Sequence, residues 1–499
     1  MNKKMRMKFV AVMAMGLLAM GSLAGCSSPG KTESTPGTTE ETKKEETKKE
    51  EPKKDEKPVE LVWWTIGNEP KELDAVNEAI NEYTKEKLNV TLDIRYASWG
   101  DYGEKLSKIV QSGESYDIAF GAGITGYQDL ANKGYFADLT PYLDETPNLK
   151  QFIPEALWQG MTVNGEIFGV PAYKDSAQAQ YWIWQQPVVE ELGIDITQMK
   201  TLQDLDPVLR KMKEAYPTKY PLMLQANEGI NGFIAMICKY DELLVSPYVT
   251  VGYEDESATV VSPWEQENTM ENLKMLHTWF KDGLINPDAA TITENPKGRM
   301  ISAAQGFPHA WTEADGVPVV YEKFYGPAFS TRTIQGSFLS VSAGSKNIDK
   351  ALKVIELVNT DEKMRNLLAF GIEGVHYEKT GDTSIKKLND GYETPAYSQG
   401  TFFNMYTVDP APASMWQDLK AETETAISSP ALGFTFNTQS VQNQIAACAN
   451  IQSKYQPSLI TGAANPEEIV PQMMEELNKA GYQEIIAEAQ KQLNEYLGK

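Results

Sequence analysis

From Val59 onward, apolar positions along the chain alternate between two periods. Val59 to Trp64 is a short apolar run, after which Leu73, Val76, Ile80 and Tyr83 recur at helical spacing. Val90, Leu92, Ile94 and Tyr96 then alternate with polar residues, Tyr102, Leu106 and Ile109 return to the helical period, and Tyr116 to Phe120 is apolar again. A period near 3.6 marks one buried helix face, and a period of two marks a half-buried strand. The pattern predicts β-α-β-α-β, an α/β fold with a parallel sheet covered by helices. Ligands of such sheets bind beyond the carboxyl ends of the strands. Three loops fall there: Thr65-Ile66-Gly67-Asn68, Ser98-Trp99-Gly100-Asp101 and Gly121-Ala122-Gly123.

Residues 1–58 follow neither period. Lys3, Lys4, Arg6 and Lys8 precede the apolar run Phe9 to Met20 and then Leu23-Ala24-Gly25-Cys26, the layout of an export signal. The run is too short to cross about 30 Å of hydrocarbon as a permanent helix. Small residues ahead of a cysteine resemble the bacterial lipobox, which implies removal of residues 1–25 and a diacylglycerol on the Cys26 thiol. Ser27 to Pro58 repeats Lys-Lys-Glu-Glu blocks and holds no aliphatic or aromatic residue, so nothing there offsets chain entropy. Residues 26–58 read as a solvated tether on a membrane anchor.

Composition narrows the partners. Removing residues 1–25, which carry four positive charges and no acid, takes the formal net charge from −23 to −27. So acidic a surface excludes nucleic acid and anionic phospholipid as targets. About 440 residues follow the tether, too many for one compact core and enough for two lobes. Besides Cys26 there are Cys238 and Cys448, both inside apolar helical patterns. They read as buried small hydrophobes, with a single disulfide as the alternative. His277, His309 and His376 lie far apart and no paired cysteine motif accompanies them, so no metal site is expected.

Gly121-Ala122-Gly123-Ile124-Thr125-Gly126 fits the G-x-G-x-x-G dinucleotide fingerprint. That fingerprint belongs after the first strand of its fold, whereas here two strand–helix units precede it. No cofactor is expected, and the glycines read as a tight turn that lets backbone approach a ligand or the opposite lobe. The chain has no G-x-S-x-G elbow, no H-E-x-x-H and no Walker loop, so it reads as a non-enzyme. A carboxylate pair at glycosidase spacing would arise by chance among 69 acidic residues.

Several stretches carry a family resemblance. Glu104 to Gly113, Tyr116-Asp117-Ile118-Ala119-Phe120, Leu130 to Leu143, Asn164 to Pro171 and Ser345-Lys346-Asn347 resemble the family 1 extracellular solute-binding proteins of ABC importers. Phe370 to Tyr377 and Ser429 to Phe434 look like its long LplA-like lipoprotein branch. The resemblance implies a type II periplasmic-binding-protein-like fold, with ligand captured between two lobes by hinge closure and handed to ABC permease subunits. It further implies crossings near 171–180 and 297–350. The first lobe would hold 59–173 and about 301–350, and the second about 174–300 and 351–499. A monomer on the extracellular face of the cell membrane is expected.

Aromatic residues gather at the expected strand ends and crossings, and flat rings stack on the C–H face of a sugar while polar neighbours bond its hydroxyls. The ligand is therefore expected to be a carbohydrate or oligosaccharide. Candidate ligand-binding residues are Trp64, Trp99, Tyr173, Tyr181, Trp182 and Trp311 with Asp101, Lys174, Asn227 and Glu313. Trp64 is preferred to Trp63 because it lies nearer the strand end, and adjacent strand residues face opposite ways. Asp175 and Glu228 are further polar candidates. The alternatives are a surface glycoside hydrolase and a ligand-sensing partner of a membrane receptor.

Overall fold

The computed structural model describes residues 57–227, 239–294, 296–306 and 313–499, without the side chains of residues 124, 313 and 314. The chain opens as its pattern predicts: β1 (Val59–Ile66), α1 (Leu73–Leu88), β2 (Val90–Ala97), α2 (Tyr102–Ser112), β3 (Ile118–Gly121) and α3 (Tyr127–Asn132). Val76, Ile80 and Tyr83 form the buried stripe of α1, and Asn89 stops the helix in the left-handed conformation. After β4 (Val170–Pro171) the chain enters β5 (Gln178–Gln185), followed by β6 (Tyr240–Val245), β7 (Tyr248–Gly252), α4 (Glu267–Lys281), β8 (Ile301–Gly306) and β9 (Val317–Phe329). It continues through α5 (Thr331–Ile334), β10 (Phe338–Val341), α6 (Ile348–Thr360), α7 (Glu362–Phe370), α8 (Met415–Thr423) and β11 (Ile427–Ser428). Three helices end it: α9 (Gln442–Ile460), α10 (Pro466–Lys479) and α11 (Tyr482–Tyr496).

Two sheets organise two hydrophobic cores. In the first, β2, β1 and β3 run parallel and β10 joins antiparallel between β3 and β4. In the second, β8 and β9 flank β5 antiparallel. Trp182 and Trp184 of β5 point into the second core, while Ala179, Tyr181 and Ile183 take the opposite face with Tyr321. Two sheets with separate cores give a two-lobed α/β architecture.

The lobe boundaries differ from those expected. Ile301 to Gly306 and Val319 to Ala328 pair with β5 and belong to the second sheet. Leu352, Ile355, Val358 and Leu368 of α6 and α7 lie in the first core, not the second. Both helices pack beside α1, because one helix alone leaves much of that sheet face bare. The chain returns to the second core only near Ala431. A third crossing therefore exists: Ile427 pairs with Ala328 and Ser428 with Phe329, while Ala328 also faces Gln178. The three crossings run side by side, a narrow neck between two cores. No helix among the described residues is long and apolar enough to cross a membrane.

Candidate functional site

The carboxyl edge of the first sheet faces the neck. Residues 395–403 lie across it: the Thr65 and Ser398 hydroxyls are 3.0 Å apart, and the Thr401 hydroxyl donates to the Tyr173 carbonyl at 2.7 Å. Arg365, fully buried on α7, holds this loop in place. It donates to the carbonyls of Thr401 and Ala396 and to Oε1 of Gln399. Burial pulls its guanidinium down to about 9, so it stays charged at neutral pH. Gly67, at φ +128°, lets β1 turn beneath Pro395, whose ring would touch any Cβ there.

The loop presents Tyr397 to Trp99. Their centroids are 5.4 Å apart at 31°, and Phe120 stands edge-on to Tyr397 at 6.1 Å. Trp99 is 56% exposed, a large apolar surface left to solvent at the strand ends. Burial raises the Tyr397 hydroxyl to about 12, so it remains a neutral phenol.

At the first crossing, Lys174 donates to Asp175 at 2.5 Å and its ammonium stands 5.7 Å above the Phe402 ring. Phe402 in turn lies 4.9 Å from Trp416 on α8. Tyr173 is buried edge-on against Phe403. One step further, the Tyr181 hydroxyl donates to Glu422 at 2.7 Å, and Lys323 pairs with the same carboxylate at 2.9 Å. Burial first, then Glu422, holds Tyr181 protonated far above neutral pH. Flat rings interleaved with charged and hydroxyl groups suit a neutral, hydroxyl-rich ligand better than an ion.

Not every residue singled out in the sequence reaches this edge. Trp64 is 8% exposed, with Lys105 of α2 4.7 Å from its ring and Arg95 of β2 at 5.7 Å. The strand twist directs it under α2, away from the edge. Trp182 is 1% exposed and stacks on Phe324 inside the second core. Tyr173 and Tyr181 sit at the crossing but are buried, and the Tyr181 hydroxyl is taken by Glu422. Asp101 is exposed and accepts from the Ser98 hydroxyl, closing the turn that carries Trp99. Asn227 is exposed and is the last described residue of its loop. Trp311, Glu228, Cys238, His309, the Glu313 side chain and Cys26 lie outside the described residues. Cys448 is buried, its thiol pushed up to about 11 by burial. His376 is buried too, 3.2 Å from Glu72. Among the described residues no three His, Cys, Asp or Glu side chains gather as a metal site. Tyr397, Phe402, Trp416, Glu422 and Arg365 did not emerge from the sequence. The one signal was the aromatic density of Tyr397-Ser398-Gln399-Gly400-Thr401-Phe402-Phe403.

Comparison with known proteins adds the family. The model of the bacterial extracellular solute-binding proteins matches residues 67–365. The chain belongs to this family. A domain of unknown function, DUF3502, matches residues 430–498, the part of the solute-binding protein that carries α9 to α11. A carbohydrate ABC transporter substrate-binding protein of Streptococcus pneumoniae serotype 4 is 30% identical over 460 residues, covering 89% of this chain and 91% of that one. The N-glycan transport solute-binding protein NgtS of Streptococcus pneumoniae superposes with a TM-score of 0.78 at 28% identity, over 88% of this chain and 99% of that chain. Its complex with Man1GlcNAc gives 0.67 at 27% identity, over 88% and 100%. Its complex with Man5GlcNAc gives 0.62 at 28%, over 88% and 99%.

In this solute-binding protein Gly121, the last residue of β3, has a packing role. Gly121 faces Phe338 across the β3–β10 pair, where a Cβ would collide with the ring. Gly123 and Gly126 border a cavity of about 350 Å³ whose other wall includes Glu242 and Phe434 of the second lobe. There Arg332 of the second crossing pairs with Glu242. The neighbouring Asp241 is buried, and desolvation raises its carboxyl to about 6 despite a hydrogen bond from Ser429.

Proposed function

We propose that this protein is the lipid-anchored receptor of a carbohydrate ABC importer, and that it captures an oligosaccharide of the N-glycan kind by closing its lobes. The reading rests on one observation above others: Trp99 and Tyr397 form an open aromatic surface at the carboxyl edge of the first sheet. A sugar ring gains there by stacking, and the half-buried Lys174–Asp175 pair offers a donor and an acceptor for its hydroxyls. The full-length relationship to NgtS supports the ligand class.

Closure follows from the neck. Three adjacent crossings can serve as hinges about which one lobe rotates on the other. The membrane partners are permease subunits, and the lipid on Cys26 keeps the receptor near them while residues 26–58 let it tumble and dock. No bond in the ligand is broken.

Calorimetry of the purified protein with Man1GlcNAc, Man5GlcNAc and short peptides tests the reading. Saturable binding of the glycans alone, with the glycans recovered intact, is the expected result. Peptide binding without glycan binding, or steady release of hydrolysis products, would overturn it.

A further inference from the structure

A second cavity, of about 550 Å³, opens beside Trp99. Asn68 and Glu69 of the loop after β1 form one wall, and Lys387, Asp390 and Glu393 belong to the other. Every lining residue belongs to the first lobe or to the segment folded on it, so the cavity exists without lobe closure. Its size falls within the roughly 300–1,000 Å³ of small-molecule sites. The walls neutralise themselves: Lys71 pairs with Asp390 at 3.1 Å and Lys387 with Glu393 at 3.3 Å. That leaves hydrogen-bonding groups of both signs and no net positive field, which disfavours an anionic guest and suits a neutral polyol. The exposed Trp99 ring joins this cavity to the aromatic surface at the neck.

We propose that this cavity is a preformed subsite for the outer sugars of a long or branched neutral glycan, and that it selects long ligands over short ones. The inference rests on the carbohydrate reading above. A disaccharide seated at the crossings leaves the cavity to water, whereas a larger glycan passes over Trp99 and adds hydrogen bonds to Asn68 and Glu393. Because the second lobe takes no part, these bonds add affinity without changing the closing motion.

The test compares Man1GlcNAc and Man5GlcNAc by calorimetry in the wild type and in the Asn68→Ala/Glu393→Ala double variant. Both side chains are exposed, so the melting temperature stays at the wild-type value. Affinity for Man5GlcNAc falls about tenfold, the scale of one or two lost hydrogen bonds, while that for Man1GlcNAc stays within about twofold. Equal losses for both glycans, or no loss for either, would overturn the subsite and leave the carbohydrate reading standing. A wild type that binds neither glycan would overturn both.

Discussion

The indole of Trp99 and the phenol of Tyr397 meet at 5.4 Å, although they belong to distant stretches of the chain. Trp99 comes from the loop after β2, and Tyr397 from a loop that Arg365 ties down from below. The pair is therefore built from two directions, one ring set by the sheet and the other by a buried cation. Its open side is the main apolar surface that the strand ends leave uncovered.

Replacing Trp99 by Ala removes the stacking face while touching no buried group. Glycan affinity is expected to fall by about 2 kcal/mol, roughly thirtyfold in Kd, with the melting temperature unchanged. Titration calorimetry together with a thermal melt reads both quantities. Unchanged affinity would place the sugar elsewhere.

Arg365→Met strips the donors from the carbonyls of Thr401 and Ala396 inside the fold. Unpaired buried acceptors are costly, so stability falls by at least about 3 kcal/mol. Arg365→Lys does not restore it, because an ammonium lacks the planar fork that reaches three acceptors. Urea denaturation of the two variants beside the wild type checks this.

Asp241 gives a pH dependence of definite sign. Its folded carboxyl titrates near 6 against an ordinary 3.8, so the folded state holds the proton more tightly. Stability from this group is present below about pH 4 and is lost as pH rises through 6, a difference of about 3 kcal/mol. Asp241→Asn is therefore more stable than the wild type at pH 7.5, and the gap closes by pH 4. Thermal melts across that range follow it; a constant gap would refute the assignment.

Capture by lobe closure predicts a change in shape that scattering can read. Adding Man5GlcNAc is expected to reduce the radius of gyration measured by small-angle scattering, because rotation about the neck brings the two cores together. A radius unaffected by saturating glycan would rule out hinge capture.

Cys26→Ser removes the thiol proposed to receive the lipid anchor. The variant should leave the membrane fraction and appear in the culture medium while its glycan affinity stays intact. Fractionation followed by immunoblotting decides between these outcomes.

Much of this molecule is legible in one dimension. The β-α-β-α-β opening follows from two clear hydrophobic periods, because strands and helices bury faces at fixed residue spacing. Trp99 was legible as a loop candidate, and the structure leaves its ring 56% exposed. Trp64 and Trp182 were not: both stand near strand ends or crossings, and only the packed sheets reveal that one lies under α2 and the other inside the second core. The lobe boundaries failed for a related reason, because amphipathic helices such as α6 and α7 fit any bare sheet face, and nothing in their own pattern says which sheet is bare.

What the sequence determined by itself, then, is what depends on near neighbours: the α/β class, the β-α-β-α-β opening and the loop position of Trp99. Tertiary structure alone decided the partners of that tryptophan. Tyr397, Phe402 and Glu422 reach the strand ends only because a buried arginine and a third crossing fold a distant segment back over them, and contacts between residues so far apart leave no periodic trace in the chain.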